Sequence, residues 1–285
     1  GSSVGTNLAG NFWDRQVYVG LVTPVGAVLA GRQYTPAYEV LAAFDTMGTQ
    51  SSLAVGQVAP FPAAIDIRIS NSVSYRIQQG GFSGSAMVAE GSTTAGRLWG
   101  LMGMYKSDAF SVGVGYNTKE NELGDKSLSS LVLGGSVQLG PGSANLLFGS
   151  VKDDNPSALS SITGSLTPLV GPVTAAIVQG AFVEAFKQDA HVWNLGYKLT
   201  SGVNTFYVAY NTYNDRRPND ADVISYGAAY TYAFSKRTDL NFVATRFNNK
   251  NLAQVAPGGA GYVGGVTASA GTDSTSLAVG LRHRF

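Results

Sequence analysis

The last nine residues, Leu277-Ala278-Val279-Gly280-Leu281-Arg282-His283-Arg284-Phe285, divide into two alternating sets. Leu277, Val279, Leu281, His283 and Phe285 take one set of positions, and Ala278, Gly280, Arg282 and Arg284 take the other. Side chains of a β-strand point alternately to opposite faces, whereas a helical repeat of 3.6 residues would mix the two sets. The segment therefore reads as a strand with one apolar and one small or basic face. Working back along the chain, Phe110, Val112, Val114 and Tyr116 alternate with Ser111, Gly113, Gly115 and Asn117. Over 65–76, Asp66, Arg68, Ser70, Ser72, Ser74 and Arg76 alternate with Ile65, Ile67, Ile69, Asn71, Val73 and Tyr75. Counted this way the chain holds thirteen strands, beginning at 14–22 and ending at 277–285. Most have the roughly 9 to 11 residues that a tilted strand needs to cross a bilayer.

The links between these runs alternate in length. Thr23-Pro24-Val25, 78–81, 107–109, 140–143, 201–204 and 236–239 are short and rich in turn formers, whereas 33–64, 91–96, 118–128, 153–189, 214–223 and 249–273 are longer. Tight hairpin turns on one side and longer loops on the other are the rhythm of a transmembrane barrel. A soluble sandwich or propeller has no cause to sort its loops by parity.

Composition supports the same class. Only 13% of the 285 residues are charged, against roughly 25% in soluble domains, and there are 36 glycines. So little charge cannot coat the exterior of a soluble sandwich. The mean hydropathy of +0.05 and the lack of about 18 consecutive apolar residues disfavour a helical membrane bundle. With no Cys and only His191 and His283, thiol chemistry is excluded, and a zinc site or a His-dependent triad has little to draw on, so no metal and no cofactor are expected. A net charge of +1 gives no concentrated basic face for nucleic acid. Gly259-Ala260-Gly261-Tyr262-Val263-Gly264 matches G-x-G-x-x-G, but no buried strand precedes it and no helix-forming run follows, so the nucleotide-binding reading fails.

Arg15-Gln16-Val17-Tyr18-Val19-Gly20-Leu21, Gly31-Arg32-Gln33-Tyr34-Thr35-Pro36-Ala37-Tyr38, Asn71-Ser72-Val73-Ser74-Tyr75 and the terminal Gly280-Leu281-Arg282-His283-Arg284-Phe285 resemble the general diffusion porins of the Gram-negative outer membrane, in particular their beta-proteobacterial branch. The resemblance implies an all-β, antiparallel transmembrane β-barrel of sixteen strands, with a long third loop folded into the lumen, here 33–64. It implies a homotrimer passing ions and small hydrophilic solutes, embedded among outer-membrane lipid and lipopolysaccharide. Aligned on Gly31 to Tyr38, the thirteen strands correspond to family strands four to sixteen. Since a closed antiparallel barrel needs an even count, the expectation is one barrel domain over 1–285 that lacks its N-terminal strands. Gln78-Gln79 departs from the family's Ser-Pro step, at a turn away from the pore.

If 33–64 folds inward, Glu39 and Asp45 bring acid into the channel, with Asp66 just beyond. Strict alternation puts Arg68 and Arg76 on the polar face of the next strand, with Arg32 at the end of the previous one and Lys106 also in the lumen. Opposed acidic and basic walls set up a transverse field, and the slight basic excess predicts a weak anion preference. Tyr34 and Tyr38 line or brace the loop. Tyr197, Tyr207, Tyr232 and Phe234 lie near turns, where an interfacial aromatic belt is expected, and His283 reads as an interfacial residue. Arg15, Arg282 and Arg284 can reach lipopolysaccharide phosphates or cap a rim. The resemblance makes Phe285 part of the signal read by the outer-membrane assembly machinery. The apolar stretch in 153–189 reads as an external loop or strand extension, because Pro168, Pro172 and Gln179 argue against a span. Two other classes stay open: a barrel enzyme in the outer membrane, with His191 as its base, and a non-conducting adhesin or receptor barrel whose lumen is plugged by apolar side chains.

Overall fold

The structure is a computed structural model that describes residues 15–49, 51–58, 67–92, 96–258 and 265–285. Its first seven main strands are β1 (Val17–Thr23), β2 (Gly26–Tyr34), β3 (Arg68–Gln79), β4 (Phe82–Ala89), β5 (Leu98–Lys106), β6 (Phe110–Glu120) and β7 (Lys126–Leu139). β8 (Gly142–Asp153), β9 (Gln188–Ser201), β10 (Asn204–Asp215), β11 (Val223–Ala233), β12 (Thr238–Asn249) and β15 (Ser274–His283) follow. Each pairs antiparallel with its neighbour in chain order, and β15 closes the series beside β12. The two-residue strands β13 (Val255–Ala256) and β14 (Gly265–Val266) make a separate small hairpin within the last long link. The sheet is open, with β1 and β15 at its edges. Asp66 and the glycine motif at 259–264 lie outside the described residues.

Alternation along the strands sorts polarity as the amino-acid pattern requires. One face is apolar and open: Val112 is 48% exposed and Val279 68%. Val73, Val88, Leu101, Val114, Leu133, Leu146, Leu195 and Val208 are exposed with them. Aromatic rings border this band on both sides. Near the short turns Tyr105 lies against Phe110 and Tyr232 against Phe234, with centroids 5.8 and 5.0 Å apart. Nearer the long loops Trp99 lies against Tyr116 and Phe148 against Trp193, at 5.3 and 4.7 Å. An apolar band between aromatic girdles is the surface that a strand sheet presents to lipid. Among the described residues no helix is long and apolar enough to cross a membrane.

The opposite face is covered by residues 35–49 and 51–58, which follow β2. Helix α1 (Pro36–Phe44) starts with Pro36 in its first turn, where a missing N–H is harmless. It buries Ala37, Val40, Leu41 and Phe44, which recur at three- and four-residue spacing on one stripe. A short 3-10 turn at Val55–Gln57 follows. The stripe meets a sheet surface stripped of side chains. A Cβ on Gly115 would lie 2.8 Å from the Cα of Ala37, and one on Gly134 would overlap the Phe44 ring. Fully burying side chains such as Val40, Leu41 and Phe44 contributes roughly 1.5–3 kcal/mol each, so packing outweighs any single polar contact in holding the segment.

The link 153–189 corrects an expectation. It folds as two helices, α2 (Ile162–Val170) and α3 (Pro172–Phe186), where a loop or strand extension was predicted. The two prolines do not prevent this. Pro172 occupies the start of α3 and Pro168 the last turn of α2, with Gly171 at φ 79° turning the chain between them. Gln179 Oε1 accepts from the N–H and the hydroxyl of Thr163, at 2.9 and 2.6 Å, tying the pair together. At its base, the Glu122 carboxylate accepts from the N–H groups of Ala158 and Ser160 at 2.7 and 2.9 Å. Burial is the largest single influence and raises the Glu122 pKa, but the hydrogen bonds from Ser160 and Ala158 together outweigh it and bring the group down to about 2.

Candidate functional site

Segment 35–58 touches the covered face from one side of the sheet to the other. The Ala37 N–H, an otherwise orphaned donor of the first helical turn, donates to Asn117 Oδ1 of β6 at 3.1 Å. The N–H and hydroxyl of Thr46 donate to Asn194 Oδ1 of β9 at 3.3 and 3.1 Å. Asn194 Nδ2 donates to Asn211 Oδ1 of β10 at 2.6 Å, and Asn211 Nδ2 in turn reaches Leu53 O at 2.9 Å and Ser225 Oγ at 3.0 Å. Ser52 Oγ and Thr245 Oγ1 of β12 are 2.9 Å apart. Asn194, Asn211 and Ser225 are fully buried, so each needs such partners to offset its lost hydration.

These contacts also fix the curvature. Arg76 on β3 and Thr245 on β12 are nine strands apart, roughly 43 Å across a flat sheet at about 4.8 Å per strand. The segment contacting both is a helix about 14 Å long and a turn drawn together by Asp45. The sheet must therefore curl around it.

Glu39 projects from α1 to Arg76 on β3, with Arg76 Nη2 donating to Oε1 at 2.6 Å and Nη1 to Oε2 at 3.0 Å. The side chains are 17% and 26% exposed, respectively, so the pair borders open space. Asp45 behaves differently. It is 3% exposed, and its carboxylate accepts from the N–H groups of Thr49 at 2.6 Å, Met47 at 3.3 Å and Val55 at 3.3 Å. Burial dominates and raises its pKa to about 6, against the opposing pull of those three N–H groups. Asp45 ties the turn to itself rather than presenting charge. Tyr38 is buried, its ring 4.8 Å from that of Tyr34 and its hydroxyl donating to Thr49 Oγ1 at 3.4 Å.

A β-bulge separates Arg68 from Arg76. Gly31 pairs with Ser72 but Gln33 with Ile69, so β3 carries one extra residue at Asn71, whose φ is 55°. Beyond it the faces exchange. Ser72, Ser74 and Arg76 share the covered face with Gln33, which hydrogen-bonds Ser72 and Ser74 at 3.1 and 2.7 Å. Ile69 joins that face against Met87, Ala89 and Leu98. By register Arg68 and Ser70 fall on the opposite set of positions, with Arg32 and Tyr34, although the Tyr34 ring itself packs against the covered cluster at Tyr38. There Arg68 lies over the Tyr34 ring at 5.3 Å, Arg32 donates to Ser70 Oγ at 2.8 Å, and Arg15 donates to the Tyr34 hydroxyl at 3.1 Å. The strict alternation expected across 65–76 does not hold.

Lys106 ends β5 on the covered face, beside a cavity beneath the end of α1. Tyr207, expected in the aromatic belt, lines the same cavity. Phe285 lies past β15 and is fully exposed, its ring 4.8 Å from His283. Among the described residues no cluster of three His, Cys, Asp or Glu residues could hold a metal. Sequence reading missed Gln33, Asn117, Asn194, Asn211 and Lys198. The available signal was Asn and Gln, poor strand formers, recurring mid-strand on the polar set of positions.

Residues 2–252 match the family model described as Gram-negative porin. The fold is similar to the anion-selective porin from Comamonas acidovorans, with TM-score 0.72 and 21% identity over 95% of this chain and 78% of that one. In vitro-folded OmpT of Vibrio cholerae, in a trimer form, gives TM-score 0.64 and 12% identity over 93% and 79% of the two chains. Salmonella typhi OmpF in complex with daunomycin gives 0.62 and 14% over 95% and 78%. At such identities the likeness is one of fold. No curated protein matches the chain.

Proposed function

The chain belongs to the Gram-negative porin family, and from that premise we propose that segment 35–58 is the constriction of its diffusion channel. As a porin it is an integral outer-membrane protein that forms a channel for passive diffusion. The observation that carries the constriction reading is the packing of α1 and its turn across the polar face, from Asn117 to Thr245. The polar face becomes the lumen and the apolar face meets lipid once the sheet closes into a barrel, for which sixteen strands is our reading. Ions and small hydrophilic solutes pass between the segment and the wall. Size sets the upper limit, and the field beside Glu39 and Arg76 orients dipolar solutes.

The chemistry is that of a channel rather than an enzyme. His191 lies 3.3 Å from the Arg216 guanidinium and packs edge-on against Phe148 on the lipid-side face, away from the lumen. A homotrimer is supported by the trimeric fold relative. A weak anion preference is supported by the anion-selective relative and by the lysines discussed below. Outer-membrane lipid and lipopolysaccharide are the surroundings that the apolar band fits, and the exposed Phe285 ring suits recognition by the assembly machinery. The deciding experiment is planar-bilayer conductance of the full-length protein, with and without deletion of 46–56. Enlarged single-channel conductance in the deletion supports the constriction reading, and unchanged conductance ends it.

A further inference from the structure

The covered face carries a second basic feature, well apart from Arg76. A cavity of about 780 Å³ lies beneath the C-terminal end of α1, toward the short turns, and its lining includes Lys106, Lys198, Tyr207 and Asp108. Strand register builds it in two rows. Lys106 pairs with Ser111, Ser111 with Ser136 and Ser136 with Asn145. In the next row Gln138 pairs with Ser143, Ser143 with Lys198 and Lys198 with Tyr207. Two ammonium groups thus stand on β5 and β9, joined by a belt of hydroxyl and amide side chains. The Lys198 Nζ sits 5.7 Å from the centre of the Tyr207 ring, which steadies it.

The other basic groups of this face are already matched. Arg76 is engaged by Glu39, and Arg282 holds Asp239 at 2.7 Å, with Arg284 at 3.9 Å from the same carboxylate. Among the described residues Lys106 and Lys198 are in no ion pair. The lining also holds Arg282, engaged by Asp239, and two carboxylates, Asp108 in the turn beside Lys106 and Asp45, which is folded onto its own N–H donors, so three cationic groups stand against two acidic ones and the two lysines are the cations left unengaged.

We propose that Lys106 and Lys198 form an anion-attracting vestibule on the turn side of the constriction, that it transiently binds small oxyanions such as inorganic phosphate, and that it sets the ion preference. The proposal rests on the channel reading above. An ammonium on a flexible stem is a compact charge that can follow a moving ion, and the Ser and Asn row replaces part of the ion's hydration without holding it. Weak binding at successive sites is what conduction needs.

The test is the reversal potential of the full-length protein in a potassium chloride gradient, with inorganic phosphate added as a blocker of chloride current. The wild type should favour anions and show phosphate block. Lys106→Gln with Lys198→Gln should lower the anion-to-cation permeability ratio by about twofold or more, from two unit charges near 10 Å and one Debye length, and should relieve the block. The paired Arg variants should restore both. Glu184→Gln with Lys187→Gln, an exposed ion pair at the end of α3 outside the lumen, should leave the ratio near its starting value. An unchanged ratio and unchanged block in the double Gln variant would overturn the vestibule, whereas a wild type that does not conduct overturns the channel reading beneath it.

Discussion

Glu39 of α1 and Arg76 of β3 meet through two parallel hydrogen bonds, at 2.6 and 3.0 Å, and so offset each other's charge on the covered face. Partly exposed, the pair contributes about 1 kcal/mol, less than the buried stripe of α1. Its effect is on the field. Arg76→Gln should leave an unmatched carboxylate and move the reversal potential toward cations, Glu39→Gln should move it toward anions, and the double variant should lie close to wild type. Shifts of the same sign in both single variants would contradict the pairing.

The glycine-lined bed of α1 makes a steric prediction. Gly134→Val would drive a branched side chain into the Phe44 ring, and overpacking of this kind costs about 1–3 kcal/mol. We expect a lower melting temperature in detergent together with altered single-channel conductance, because the displaced helix is also the constriction. Gly180→Val, in the exposed helix α3 where a Cβ meets nothing within 4 Å, is the control and should change neither.

Asp45 should make the segment more stable in mild acid. Its pKa is about 6 in the folded chain against an ordinary 3.8, so the folded state binds the proton more tightly. The resulting stability is complete below about 3.8 and declines as pH rises toward about 6, by up to roughly 3 kcal/mol for a shift of about two units. Melting curves from pH 3.5 to 7 should show this decline in wild type and a flatter profile in Asp45→Asn. A wild-type profile that rises through that window would mean that the three N–H donors outweigh burial.

The exposed apolar band predicts a depth-dependent penalty. Val114 lies mid-strand with 46% of its surface open, and Val114→Arg should cost about 2–4 kcal/mol of stability in lipid vesicles, the range for a charge near the bilayer midplane. Ser111→Arg, on the covered face of the same strand, should cost much less. Equal costs would show that the two faces of β6 are not lipid and water.

Strand positions and the polarity of each face were legible in the sequence, because period-2 alternation is a local property that each strand carries within itself. The short-long alternation of the links was legible for the same reason. What depended on contacts between distant residues was not. The extra residue at Asn71 that turns Arg68 away from Arg76 shows only in the pairing with β2. Asp45 reads as a channel charge until its carboxylate is seen to bind Met47, Thr49 and Val55. Lys198 looked like any polar strand position until register set it beside Tyr207 and across from Lys106. The helices at 162–186 are not legible because a proline starts a helix or breaks one depending on where the helix begins, which local sequence does not show. Alternation tells which side a residue faces. Whether its charge there is paired, buried or free is decided by partners more than a hundred residues away, and only the folded chain brings those together.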